Sequence, residues 1–207
     1  MPMPISNREF GAPIGDVEVR ATDGGTTMLV GYAARFNSPS SPIGGRFVEV
    51  IAHGAFDGVI GGDVVALFDH DTRRLLGRTG AGSLRLSIDD LGLRYEVDLD
   101  MEDPDAVAVQ RKLATRKVTG SSFMFSVAES GDKWDKTNDV ITRTITKIGA
   151  LYDVGPVTFP AYPASSAALR SLEGVEAQAL EAVQAHELAA AQEDAAARAR
   201  QIALFTI

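Results

Sequence analysis

Residues 118–127 read VTGSSFMFSV, and this stretch decides how the rest of the chain is interpreted. Side chains alternate between the two faces of a strand, so one face carries both aromatic rings and is predicted to lie against the core; its residues are Thr119, Ser121, Phe123, Phe125 and Val127. The other face places Gly120 beside Ser122. A glycine there permits close approach of another backbone or marks a bulge. Ser122 is therefore a candidate nucleophile, and a plain strand with incidental serines is the competing interpretation.

The composition is that of a globular protein with an acidic balance. The 207 residues are 45% hydrophobic and 23% charged, with a net charge of -8 and a pI near 4.9. This charge argues against a nucleic-acid binder that neutralises phosphates. Because cysteine is absent, disulfides, thiol catalysis and cysteine-ligated metals are excluded. Residues 1–8 contain no apolar run typical of a signal peptide, and no stretch reaches the ~20 apolar residues of a membrane span. We expect a soluble protein made in a cytoplasm.

Alternating apolar residues predict strands along most of the chain. The clearest pattern is a hairpin, with residues 84–88 and 93–99 on either side of the turn DDLG. Asp103 as N-cap and Pro104 at the first position predict a helix that ends near residues 112–116. Further strands are predicted at 17–20, 28–36, 46–51, 63–70 and 140–160, with Trp134 in a polar hairpin loop. Prolines confine the last of these to an edge or an end. About seven strands and one helix predict a mixed, mainly β fold, built as a barrel or a sandwich that carries helices.

The composition changes near Leu172. Residues 173–207 contain twelve alanines, six acidic residues and two arginines, so they account for -4 of the net charge. This composition predicts a helical tail with a weak apolar stripe. Two interpretations stay open, a helix that contacts an assembly partner and a solvated surface helix. The predicted organisation is an N-terminal arm with a candidate first strand at 1–25, a β domain at 26–171 and the alanine-rich tail at 172–207.

Histidine is the scarcest group with catalytic chemistry, and it occurs at His53, His70 and His186. His53 lies in a glycine-rich turn and His186 in the tail, whereas His70 ends a predicted buried strand. A hydrolytic serine needs a neutral imidazole to accept its proton, and the imidazole needs a carboxylate to fix its tautomer. His70 and Ser122 come from separate strands, as such a site requires. Asp153 is the favoured carboxylate because its neighbours are apolar, where an unpaired charge is costly.

Alternatives exist for two of these roles. Asp69 and Asp71 flank His70 and are rival carboxylates, although sequence neighbours on an extended chain point away from the ring. Ser121 is a rival to Ser122, but the period of two assigns it to the core face. No metal-binding spacing and no phosphate-binding loop occurs, so no cofactor is expected.

Five motifs, in this order, resemble the prohead (capsid-maturation) serine proteases of tailed bacteriophages and prophages. They are GYAARFN at 31–37, GAF at 54–56, LFDHD at 67–71 with LGR at 76–78, GSSFMF at 120–125 and VTFPAYP at 157–163. The resemblance covers about residues 28–170. It implies a fold similar to herpesvirus assemblin, with a closed antiparallel-rich β-barrel core, flanking helices and the C-terminal helical tail.

The resemblance also implies an activity and a location. The protein would be a serine endopeptidase inside the viral procapsid, in the host bacterial cytoplasm, that cleaves the scaffold segment of the major capsid protein and also itself. Self-association is a candidate interaction; no nucleic acid and no membrane are expected as partners. A non-catalytic capsid-assembly or scaffolding protein that retains the fold is the alternative function, and an inactive prophage remnant is a third.

The family pattern carries over to individual residues of this chain. Ser122 matches the nucleophile, His70 matches the general base, and Asp153 stands where the family usually has glutamate. Three departures are Met124 in place of a small residue, His53 in place of proline, and the shorter side chain of Asp153. The oxyanion would be bound by backbone N–H groups near the nucleophile or by an arginine such as Arg78; the sequence leaves both open.

Overall fold

The computed structural model describes residues 9–10, 17–21, 25–40, 42–43, 47–137 and 140–158, together with Leu188. The other positions of the predicted tail at 172–207, and most of the N-terminal arm, lie outside the described residues. The described chain is mainly β and contains helix α1 (Pro104–Ala114). Its strands are β1 (Glu9–Phe10), β2 (Val17–Ala21), β3 (Thr27–Arg35), β4 (Phe47–Ile51), β5 (Val65–Leu67), β6 (Leu75–Arg78), β7 (Leu84–Ile88), β8 (Gly92–Leu99), β9 (Gly120–Val127), β10 (Asp132–Thr137), β11 (Val140–Ile145) and β12 (Ile148–Val157).

Hydrogen bonding groups these strands into three sheets. The first has the order β1-β9-β12-β5-β6, the second β2-β3-β8-β7 and the third β10-β11-β4. Most neighbours are antiparallel, but β5 runs parallel to β12 and β4 runs parallel to β11. Among the described strands the ladders do not join into one ring, so the closed barrel stays a prediction.

Local sequence signals are confirmed at the hairpin and at the helix. β7 and β8 pair around a turn in which the Asp89 carboxylate accepts hydrogen bonds from the backbone N–H groups of Leu91 and Gly92, at 2.8 and 3.1 Å. Helix α1 begins at the predicted Asp103 cap, whose side chain accepts from the N–H of Asp105 at 2.9 Å. Both signals are short-range, so the local sequence is enough to specify them.

The prediction was wrong on the segment that follows β9. Trp134, expected in a loop, lies in β10, where its ring contacts Phe47 with centroids 5.1 Å apart. The single strand expected at 140–160 is divided, within its described residues, into β11 and β12. The division occurs because the backbone N–H groups of Thr146 and Lys147 donate to the carbonyl of Gly131. β12 is central in its sheet, and Pro156 lies one residue before its end.

The core is one cluster of buried side chains to which both the first and the second sheet contribute. Phe123 and Phe125 of β9 are buried and stacked with centroids 4.8 Å apart, and Phe56 meets Phe123 edge-on at 5.5 Å. The aromatic face predicted for β9 is therefore the core face. Within the described ranges, no helix has the length and apolar character needed to cross a membrane.

Candidate active site

Ser122 lies in β9 directly opposite Gly155 of β12. The alternation predicted from the sequence is observed, since Ser121 is oriented toward the core with Phe123 and Ser122 occupies the opposite face. Ser122 is 2% exposed. The pairing register is regular from Gly120 to Ser122, so this part of β9 contains no bulge.

A β-bulge in β12 controls the direction of Asp153. Leu151 is paired with Phe125 but Asp153 is paired with Met124, so Tyr152 is the extra residue. Directly opposed residues of an antiparallel pair point to the same face. Leu151 therefore points into the core with Phe125, and Asp153 points to the other face with Met124. In a regular strand Leu151 and Asp153 would share a face.

The face that carries Asp153 also carries Ser122. The pair Asp153–Met124 and the pair Gly155–Ser122 are two residues apart on the same ladder. This spacing corresponds to about 7 Å along the strand. The bulge thus brings the favoured carboxylate and the candidate nucleophile to one side of the sheet.

His70 follows β5 in a tight turn of unusual backbone conformation. Asp69 has φ 53° and His70 has φ 55°, so both are left-handed. Aspartate and histidine are among the non-glycine residues that adopt this conformation most readily. Each such residue still costs on the order of 1–3 kcal/mol, and the conformation persists only where other contacts impose it.

Those contacts fasten the turn to the end of β12. The backbone N–H of Asp69 donates to the carbonyl of Pro156 at 3.0 Å. The Asp69 carboxylate accepts from the backbone N–H of Thr158 at 2.6 Å and from its hydroxyl at 2.8 Å. The turn that carries His70 is therefore tied to the strand that carries Asp153.

His70 and Asp153 are in direct contact. Nδ1 of His70 lies 2.6 Å from Oδ1 of Asp153; the imidazole side chain is 16% exposed and the carboxylate 2%. A neutral imidazole whose Nδ1–H donates to a carboxylate keeps the lone pair of Nε2 as a base. Oδ2 of Asp153 is buried and has no hydrogen-bond partner among the described residues. A buried carboxylate with one partner is suited to stabilise positive charge on that partner.

Gly155 permits the close approach of β5 and β12 beside the site. A Cβ at this position would lie 1.9 Å from the carbonyl oxygen of Leu67. Leu67 is the last residue of β5, three positions before His70. Because no side chain fits there, Gly155 lets the end of β5, which leads into the turn with His70, pack directly against β12.

The rival residues make other contacts. Asp69 binds Thr158. Asp71 accepts hydrogen bonds from the Arg73 guanidinium and backbone N–H, and these hydrogen bonds lower the pKa of the Asp71 carboxyl. Ser121 Oγ lies 2.6 Å from the hydroxyl of Tyr95 inside the core. In the described structure, these side chains are therefore engaged in contacts other than the His70–Asp153 pair.

The remaining candidates lie apart from this constellation. The ring of His53 packs on Phe36 with centroids 4.5 Å apart, and His186 is outside the described residues. The Arg78 guanidinium is paired with Asp63, and Nε donates to Oδ1 at 2.9 Å. Over the described ranges, no group of three or more His, Asp or Glu residues is arranged to hold a metal ion.

Tyr95 is a residue that the sequence did not single out. Its buried hydroxyl contacts Ser121, the neighbour of Ser122, and burial raises the pKa of Tyr95 well above the ordinary value of 10.0. Its ring lies against Gly31 of the GYAARFN motif, where an added Cβ would be 2.7 Å from the phenolic oxygen. The glycine in that motif was the available signal, because it indicates close packing against β3.

Comparison with known proteins places these observations in a family. The family model described as caudovirus prohead serine protease matches residues 15–179, a range that includes His70, Ser122 and Asp153. Curated proteins and solved structures gave no significant match. The family match covers well over half of the chain and agrees with the motifs in β3, β5, β6 and β9. The chain belongs to the caudovirus prohead serine protease family.

Proposed function

We propose that the chain is the active serine endopeptidase of a phage procapsid, with Ser122 as nucleophile, His70 as general base and Asp153 as the orienting carboxylate. Membership of the family supports a protease of capsid maturation. The observation that carries the residue assignment is the 2.6 Å contact between His70 Nδ1 and Asp153 Oδ1 on the side of the sheet that carries Ser122. A carboxylate–imidazole pair beside a strand serine is the arrangement that acyl transfer requires.

The reaction follows the acyl-enzyme route. Ser122 Oγ attacks the peptide carbonyl carbon while Nε2 of His70 accepts the hydroxyl proton. Asp153 stabilises the resulting imidazolium through Nδ1. When the tetrahedral intermediate collapses, His70 returns the proton to the leaving amine and the carbonyl stays esterified to Ser122. A water molecule, deprotonated by His70, then attacks the ester and restores the serine.

The substrates follow from the setting of the family. The enzyme cleaves the scaffold segment of the major capsid protein, and its own chain, inside the procapsid in the host bacterial cytoplasm. The protease domain is residues 26–171, with the fold of a closed barrel, and the tail at 172–207 contacts the assembly. An acidic protein of net charge -8 is suited to protein substrates rather than to packaged DNA.

Co-expression with the cognate major capsid protein tests this proposal. We expect the wild type to shorten the capsid protein, and Ser122→Ala to leave it at full length. Ser126→Ala is the matched control, since Ser126 is also buried in β9, on the same face, and accepts a long hydrogen bond from the Tyr152 hydroxyl, at 3.3 Å. Processing that persists in Ser122→Ala would remove Ser122 from the mechanism. Absence of processing in all variants would favour the non-catalytic assembly protein.

A further inference from the structure

We infer that Asp69 is a positioning residue for the reaction: it holds the His70 imidazole against Asp153 by clamping the left-handed turn to Thr158. The inference rests on the proposed function, because it concerns the base of the same site. Asp69 itself does not contact the reacting atoms. Its carboxylate is directed away from the ring, to the chain that follows β12.

The backbone of the turn needs an external restraint. Two consecutive non-glycine residues, Asp69 and His70, have positive φ, and left-handed residues of this kind usually occur singly. Without a restraint the chain after Leu67 would relax toward extended or right-handed conformations. Either change would turn the His70 side chain away from the position that it occupies.

Asp69 supplies that restraint at three points. Its N–H donates to Pro156, and its two carboxylate oxygens accept from the N–H and the hydroxyl of Thr158. A carboxylate that accepts two hydrogen bonds fixes both its position and its orientation. Thr158 follows directly on β12, the strand that supplies Asp153. Both members of the His70–Asp153 pair are thus positioned by β12: Asp153 lies in it, and the turn of His70 is hydrogen-bonded to its end.

The flanking carboxylates therefore have different roles. Asp71 is bound by Arg73, two residues along the chain, and Arg73 is 88% exposed. The Asp71 side chain thus makes a local contact at the surface, whereas the Asp69 side chain binds a residue 89 positions away in the sequence. Asp71→Ala is consequently a matched control for Asp69→Ala, with the same chemical change on the other side of His70.

The test measures the rate at which a fluorescent fluorophosphonate labels the purified full-length protein. We expect Asp69→Ala to lower the labelling rate by about 10²-fold, the effect of misplacing a catalytic group by about 1 Å. Asp69→Asn should recover most of the rate, since its amide oxygen accepts from the Thr158 N–H and its amide group donates to the hydroxyl. The labelling rate of Thr158→Val should lie between those of Asp69→Ala and Asp69→Asn, and Asp71→Ala should match the wild type.

A spectroscopic measurement separates positioning from general stability. The proton that His70 Nδ1 shares with Asp153 should give a strongly downfield NMR resonance in the wild type and in Asp69→Asn. We expect it to be lost in Asp69→Ala, in protein that circular dichroism shows to be folded. If Asp69→Ala proves unfolded, Thr158→Val carries the same test with the side chain of Asp69 retained.

The outcomes distinguish this inference from the proposed function. A wild type that is labelled no faster than Ser122→Ala would overturn the proposed function, and this inference with it. Labelling that depends on Ser122 but is equally fast in Asp69→Ala and Thr158→Val, with the downfield resonance retained, would overturn the role of Asp69 alone.

Discussion

At the scale of single residues, the site is organised by one buried carboxylate. Where the family resemblance predicts glutamate, the chain has Asp153, which is shorter by one methylene. Its Oδ1 nevertheless lies 2.6 Å from Nδ1 of His70. The turn of His70 lies close enough because Gly155 admits the backbone of Leu67 beside it. The shorter acid and the close packing of β5 on β12 are therefore consistent with each other.

Asp153→Asn should preserve the shape of the site and remove its negative charge. Imidazolium formation loses its stabilising partner, and the preferred tautomer of His70 is no longer enforced. We expect the rate of fluorophosphonate labelling to fall by about 10³–10⁴-fold. A variant that folds and is labelled at the rate of the wild type would show that Asp153 has no part in the mechanism.

Tyr95→Phe tests the buried contact between the Tyr95 hydroxyl and Ser121 of β9. Loss of the hydroxyl leaves buried Ser121 without that contact, so we expect a decrease of about 1–3 kcal/mol in the free energy of unfolding at neutral pH. Burial raises the pKa of folded Tyr95 above 10.0. Tyr95 therefore contributes fully to the free energy of unfolding below pH 10, where it is protonated in both the folded and the unfolded state. Above pH 10 the unfolded chain loses this proton first, so the free energy of unfolding falls by up to about 1.4 kcal/mol per pH unit.

Urea denaturation of both proteins at neutral pH and above pH 10 measures this difference. The difference in the free energy of unfolding between the wild type and Tyr95→Phe should be smaller at the higher pH. An equal gap at both pH values would contradict the assignment of the raised pKa to Tyr95.

At the scale of elements, periodicity predicts the orientation of β9 but not that of β12. The alternation in VTGSSFMFSV assigns Ser121 and Ser122 to opposite faces, and the buried stack of Phe123 and Phe125 confirms which face is core. In β12 the same rule gives the wrong face, because Tyr152 is inserted as a bulge. A bulge depends on the register with the partner strand, which the local sequence does not contain.

Gly155→Ala tests the packing between β5 and β12. The added Cβ would overlap the carbonyl of Leu67, so the strands must separate. We expect a loss of about 2–3 kcal/mol in the free energy of unfolding and a loss of labelling at Ser122. Gly61→Ala is the control, since no atom lies within 4 Å of its added Cβ; its stability should stay within about 0.5 kcal/mol of the wild type. A Gly155→Ala protein as stable and reactive as this control would contradict the described packing.

At the scale of the whole molecule, the site lies within one sheet and depends on strands distant in sequence. β5, β9 and β12 are neighbours only through their pairing, and β12 lies between the other two. The sequence named His70, Ser122 and Asp153 through chemistry and family resemblance. It did not indicate that Asp69 binds Thr158, because that contact joins residues whose proximity arises only when β5 and β12 pair in parallel.

Deletion of residues 173–207 tests the prediction that the β domain carries the catalytic site and that the tail contacts the assembly. The described residues of the site end at Thr158, so labelling of Ser122 should be unchanged. We expect the truncated protein to be incorporated poorly into proheads, which quantitative immunoblotting of purified particles would measure. Incorporation equal to that of the full-length protein would contradict an assembly role for the tail, and loss of labelling would show that the tail is needed for the site.

The most direct test of the central claim is to map the fluorophosphonate adduct by peptide mass spectrometry in the wild type and in His70→Ala. If β9 presents Ser122 to a base held by Asp153, the wild type carries a single adduct on Ser122, and His70→Ala carries almost none. An adduct on Ser121, or equal labelling of Ser122 in the two proteins, would contradict the account.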